Sequence, residues 1–101
     1  MNMQQMVQAM NKMQRQYEKE RKVLDAQEFK YVANGAVEVI LKGDNSLVSV
    51  TFVDPEILKE DPEMVQDMIK LAFDGAKDLV DKADEELANK FQKSAMGGLP
   101  F

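Results

Sequence analysis

The 101-residue sequence has no cysteine and no histidine, and each absence removes a class of chemistry. Without cysteine there is neither a disulfide framework nor a thiolate metal site. Without histidine the commonest general base and the commonest metal ligand are both missing. No apolar run approaches the 18 or more residues of a membrane span. The N-terminus also lacks the basic, apolar, small-residue order of a secretory signal, so the chain is expected in the cytoplasm and away from membranes. A carboxylate-only metal site is open in principle, but no segment has the Asp-x-Asp/Asn-x-Asp/Asn-Gly spacing of a calcium loop. The carboxylates of Asp67, Asp74, Asp78 and Asp81 have no nucleophile or base to work with. The sequence therefore predicts a protein that is not an enzyme, with no cofactor, no metal and no small-molecule substrate. At 45% apolar and 31% charged residues it has the composition of one globular domain.

The charge that is present is unevenly placed. Residues 1–30 hold six basic side chains (Lys12, Arg15, Lys19, Arg21, Lys22 and Lys30) against four acidic ones, a net +2. Residues 31–101 hold seven lysines against fourteen acids, a net −7, and the two parts sum to the chain's −5. A polyanion is tolerated only at the first end. On a helix turning about 100° per residue, Lys12, Arg15, Lys19 and Lys22 fall within roughly 80° of one another, with no acid inside the stripe. Met3, Met6, Met10, Met13 and Tyr17 recur at alternating steps of three and four and lie about 180° away on the same wheel. That is a packing seam, for a helix of the same chain or of a second copy. One face packs and the other is displayed.

The rest of the chain divides by period. The first helix is expected from near Asn2 to Ala26, about 36 Å long, in a segment rich in Gln, Met, Lys and Glu. The period then changes to two in Glu28–Ala33, Ala36–Lys42 and Ser46–Val53, which are rich in the Val, Ile, Phe, Tyr and Thr that strands favour. Asn34-Gly35 supplies the positive φ of a type I′ turn between the first two, and Gly43-Asp44-Asn45 turns between the second and third. The result is an antiparallel meander. Asp54 caps a short turn through Leu58, and Asp61-Pro62-Glu63 starts a long helix of about 45 Å. Gly75 is a mild flaw in that helix, costing up to about 1 kcal/mol relative to Ala. Residues 1–93 form one α+β domain, and residues 94–101, with paired glycines and a proline, form a flexible tail.

Helices of these lengths overshoot a three-stranded sheet, because a compact chain of this size has a radius of gyration near 13 Å. Their apolar stripes would be wet in a lone chain, and a second copy related by a two-fold axis is the simplest remedy.

The order helix, three strands, long helix resembles the YbaB/EbfC family of bacterial nucleoid-associated proteins over nearly the whole chain. The residues that carry the likeness are the Met-Asn-Met-Gln-Gln-Met start, Gly35-Ala36-Val37-Glu38-Val39, Val53-Asp54-Pro55-Glu56, Met64 to Ala76, and the Gly98-Leu99-Pro100-Phe101 end. The resemblance implies a tweezer-like homodimer with protruding helices that binds double-stranded DNA in the nucleoid with little sequence preference. Two positions depart from the family pattern: Ala33-Asn34-Gly35 stands where a glycine run is usual, and Asp74 stands where Asn is usual, which adds negative charge.

On the residues alone, Lys12, Arg15, Lys19 and Lys22 read as a solvated helix face, with Glu18 and Lys22 as an i,i+4 pair worth about 0.3 to 0.5 kcal/mol. The resemblance turns the stripe into a DNA-binding surface. With no base-reading module in the sequence, contacts would go to backbone phosphates. Asp74, Asp78, Asp81, Asp84 and Glu85 form an acidic face on the last helix that reads as solvated. It also leaves open an alternative: an acidic dimeric adaptor or chaperone that holds a protein client and no DNA.

Overall fold

The computed structural model describes residues 2–97, with side chains through residue 92. The element order is α1 (Met3–Ala26), β1 (Glu28–Ala33), β2 (Val37–Lys42), β3 (Leu47–Phe52), a 3₁₀ turn (Pro55–Lys59) and α2 (Pro62–Gly97). The fold is α+β, a three-stranded antiparallel sheet in the order β1-β2-β3 with two long helices.

Local chemistry starts each element. Asn2 caps α1, its side-chain oxygen accepting from the Gln5 N–H at 2.8 Å. Asn34 and Gly35 both sit at positive φ (51° and 68°), and the Ala36 N–H closes onto the Ala33 carbonyl at 2.9 Å. Asp54 accepts from the Glu56 N–H at 3.0 Å and Asp61 from the Glu63 N–H at 2.9 Å, so both Asp-Pro-Glu segments cap as their sequences predict.

The register puts Phe29 opposite Leu41, Tyr31 opposite Val39 and Ala33 opposite Val37, all on the face that α2 covers. Val37, Val39 and Leu41 are fully buried there against Ala72, Ala76 and Val80. Two alanines let the helix axis come close to the sheet. Each buried Val or Leu stabilises by about 1.5 to 3 kcal/mol. A bulge between Ile40 and Leu41, pairing with Ser49 and Leu47, leaves Val48 out of register.

Two sequence expectations are corrected. Gly75 is more than a flaw in the helix: a Cβ there would lie 2.3 Å from the Tyr31 ring, so the missing side chain is what lets Tyr31 lie against α2. α2 does not stop at Lys93 but continues through Gly97, since Ser94, Ala95 and Met96 contain neither Gly nor Pro to interrupt it. The rest of the expected tail, residues 98–101, lies outside the described residues.

At 36 residues α2 spans about 54 Å. The molecule is a rod of 68 × 20 × 16 Å with a radius of gyration of 19.7 Å. A compact chain of this size would measure about 13 Å.

Candidate nucleic-acid interface

The first helix meets the rest of the molecule near its C-terminal end. Leu24 is its one buried residue among those described. Gly43, in the turn between β2 and β3, donates its N–H to the Gln27 carbonyl at 3.0 Å, and a Cβ on Gly43 would lie 1.9 Å from the Leu24 carbonyl oxygen. Only glycine allows that approach. Further out, Glu20 pairs with Lys90, and the Tyr17 ring meets Phe91 edge to face with centroids 5.2 Å apart. Residues 17, 20, 21 and 24 of α1 thus run antiparallel along the second half of α2, and together the two helices make an arm.

The seam residues separate along that arm. Tyr17 packs on Phe91 within the chain, and Met13 is half-buried. Met3, Met6 and Met10 are exposed, Met3 to 80% and Met10 to 58%. The a/d periodicity continues past Tyr17, whose partner Phe91 is the outermost described contact with α2.

Lys12, Arg15, Lys19 and Lys22 are all exposed, on a helix that is regular from Met3 to Ala26, so the wheel that groups them holds. Among the described residues none of the four takes part in an ion pair or side-chain hydrogen bond. Lys42, Lys70 and Lys82 likewise form no ion pair among the described residues, whereas three other lysines are paired. Lys30 lies 3.9 Å from Glu38, Lys59 3.0 Å from Glu56 and Lys77 3.6 Å from Asp81. The Glu18 to Lys22 pair allowed by spacing is not formed, which leaves Lys22 available. The stripe can therefore offer four point charges to an anion without first breaking an ion pair or side-chain hydrogen bond among the described residues.

Arg21 is the basic residue of α1 that behaves differently. Its Nε donates to Asp25 Oδ1 at 2.8 Å, one terminal nitrogen to Asp84 Oδ1 at 2.7 Å, and the other to the Gly43 carbonyl at 3.2 Å. Hydrogen bonds to Asp25, and next to Asp84, push its guanidinium above its ordinary value, so it stays charged. From the sequence Arg21 counts only as charge. The signal that could have found it is its place on the wheel, roughly 180° from Lys12 and so on the side of the methionine seam, with Asp25 four residues on. Asp84, assigned by sequence to a solvated acidic face, faces α1 and holds Arg21. An open cleft of about 560 Å³, lined by Val23, Leu24, Phe29, Leu79 and Leu87 among others, lies beside this joint.

Comparison with known proteins agrees with this architecture. The pattern of the YbaB/EbfC DNA-binding family matches residues 1–99. A nucleoid-associated protein of Ligilactobacillus salivarius is 31% identical over 98 residues, covering 96% of this chain and 94% of its own. One from Streptococcus thermophilus is 35% identical over 102 residues, covering 100% and 99%. The crystal structure of an uncharacterized protein from Helicobacter pylori superposes with a TM-score of 0.75 over 91% of this chain and 98% of that one, at 18% identity, which bears on the fold alone.

Proposed function

The chain belongs to the YbaB/EbfC DNA-binding family, and from that premise we propose that it binds double-stranded DNA in the nucleoid through backbone phosphates, without sequence preference, as a homodimer. Lys12, Arg15, Lys19 and Lys22 are the contact residues. The observation that carries this reading is that the four cations share one face of a projecting helix and have no partner among the described residues, in a protein whose net charge is −5. An acidic body repels a polyanion at long range, so only cations held away from it can engage phosphates. The exposed Met3, Met6 and Met10 support a second copy, because a monomer gains nothing from a wet apolar stripe. The dimer would present two arms.

Phosphate contact makes the affinity salt-dependent. Eight contacts, four from each copy, would give a log–log slope near −7, and fewer contacts a shallower one. The test is a salt series with several unrelated duplexes and a single strand, run beside light scattering for mass. Equal affinities across duplexes, a negative slope and the mass of two chains are expected. Arg15→Glu combined with Lys19→Glu should weaken every duplex equally. Flow-through over mixed DNA at low as well as high salt would overturn the reading in favour of a client-holding adaptor. Unchanged binding by the double variant would remove the stripe from the mechanism.

A further inference from the structure

We infer that Arg21 is a positioning residue for the DNA-binding arm: by bridging α1, the β2–β3 turn and α2, it fixes the direction in which the basic stripe projects. The inference rests on the stripe being the DNA surface. Three observations lead to it. Arg21 joins three elements, through Asp25 on its own helix, the Gly43 carbonyl in the turn, and Asp84 on α2. A guanidinium is a planar fork, so three simultaneous acceptors fix its orientation in a way that a lysine ammonium cannot. Apolar packing at the base amounts to the buried Leu24 and the Tyr17–Phe91 edge, with Val23 66% exposed, so the polar bridge adds to it rather than repeating it. The neighbouring Glu20 to Lys90 pair is a weaker tie, since its cation is 55% exposed against 28% for Arg21.

Leverage makes the angle matter. Lys12 lies nine residues from Arg21, about 14 Å along the helix, and the tip at Met3 about 27 Å away. A pivot of about 10° at the joint moves Lys12 by roughly 2 Å and the tip by roughly 5 Å, against a rise of about 3.4 Å of duplex axis per phosphate of one strand. A loosened arm would no longer hold its cations in step with the backbone, although every cation would still be present.

The clamp predicts the opposite sign from simple electrostatics. Asp84→Asn removes a negative charge and releases the charge of Arg21, so electrostatics alone calls for tighter DNA binding. The clamp calls for weaker binding, about three- to tenfold, in the full-length protein with a mixed-sequence duplex at fixed salt. Asp78→Asn, at an exposed acid outside the joint, serves as the control and should bind equally or more tightly. Arg21→Ala should weaken binding and change the salt slope no more than Asp84→Asn does, whereas an arginine that itself neutralised a phosphate would, on removal, make the slope shallower by about a further 0.9. Amide exchange gives a readout without DNA: in Asp84→Asn, amides of residues 7–20 should exchange at least threefold faster while β2 amides keep their rates.

Tighter binding by Asp84→Asn, or a slope for Arg21→Ala shallower by about 0.9 than that of Asp84→Asn, overturns the inference. Should Arg21→Ala fail to fold, Asp84→Asn, which keeps the side-chain volume, decides alone. Should the unaltered protein not bind DNA, the functional reading falls, and the clamp is then decided by exchange: unchanged α1 rates in Asp84→Asn overturn it, and faster rates uphold it.

Discussion

Residues 17–26 of α1 are bound to the molecule by specific partners, whereas residues 3–16 carry no hydrogen bond or ion pair to another element among those described. Both stretches belong to one unbroken helix with one periodic apolar seam. The base of the helix is held by an aromatic contact, a guanidinium bridge and a glycine that lets two backbones approach. Among the described residues the tip has periodicity without a surface to receive it. An isolated helix of about 14 residues is marginal in water, so the tip keeps its shape by continuing a helix that is anchored at the other end. The order of the stripe is borrowed from the joint.

The strongest way to break this contrast is at Gly43. Gly43→Ala would drive a methyl group into the Leu24 carbonyl, a backbone atom that cannot swing aside. The cost should reach or exceed about 3 kcal/mol, the upper part of the overpacking range. Thermal unfolding would show it, together with faster amide exchange in residues 21–27. A variant as stable as the parent would mean that the joint is not closed as described.

Tyr17→Ala should come next. Removing an edge-to-face ring pair costs about 0.5 to 1.5 kcal/mol beyond the area buried, and the residue is part-exposed, so a total near 2 kcal/mol is expected. Phe91→Ala should cost a similar amount, and the double variant less than the sum, because the two rings meet. Strict additivity in that cycle would remove the ring pair as an anchor.

At the tip the same substitution should do little to a single chain. Met6→Ala or Met10→Ala removes an exposed side chain and should stay within about 0.5 kcal/mol. If a second copy covers the seam, the cost instead grows with protein concentration, because association is linked to folding. Unfolding midpoints measured over a hundredfold range of concentration separate the two cases, and a midpoint that does not move for parent or variant would argue against a partner at this seam.

This contrast also marks what can be read from the sequence. The elements, both turns and both Asp-Pro-Glu caps follow from period and from residues with narrow conformational preferences, such as Asn34-Gly35. The stripe Lys12, Arg15, Lys19, Lys22 follows from helical spacing. What escapes are the features that depend on which elements meet. Gly75 reads as a defect because its value lies in the Tyr31 ring, 44 residues away in sequence. Asp84 reads as one more solvated acid because its partner is 63 residues away. The extension of α2 to Gly97 escapes for a local reason: the Gly97-Gly98 pair suggests an earlier stop than the residues before it require. Within α1, Lys22 and Arg21 are adjacent and of the same charge, yet they meet opposite fates. Their wheel angles differ by about 100°, and only the fold shows that one side of the wheel meets α2.

The smallest expected effect tests the turn that carries Gly43. Asp44 Oδ1 accepts from the Ser46 hydroxyl at 2.5 Å and from the Ser46 N–H at 2.9 Å, closing the β2–β3 turn. The hydroxyl, and next the backbone N–H, hold the Asp44 carboxyl below its ordinary 3.8. A carboxyl with a lower pKa in the folded than in the unfolded chain adds stability above the unfolded value, and that stability is lost as pH falls through the folded one. Asp44→Asn keeps an acceptor oxygen but cannot ionise. The parent should therefore exceed the variant in melting temperature by a constant margin from pH 7 to pH 5, with the margin shrinking once the pH falls below about 3.8 and on through the folded pKa. The two proteins differ only at this carboxyl, so the difference isolates Asp44. A margin that persists unchanged in acid would mean that the turn is held by its backbone alone, and that the joint beneath α1 does not depend on this charge.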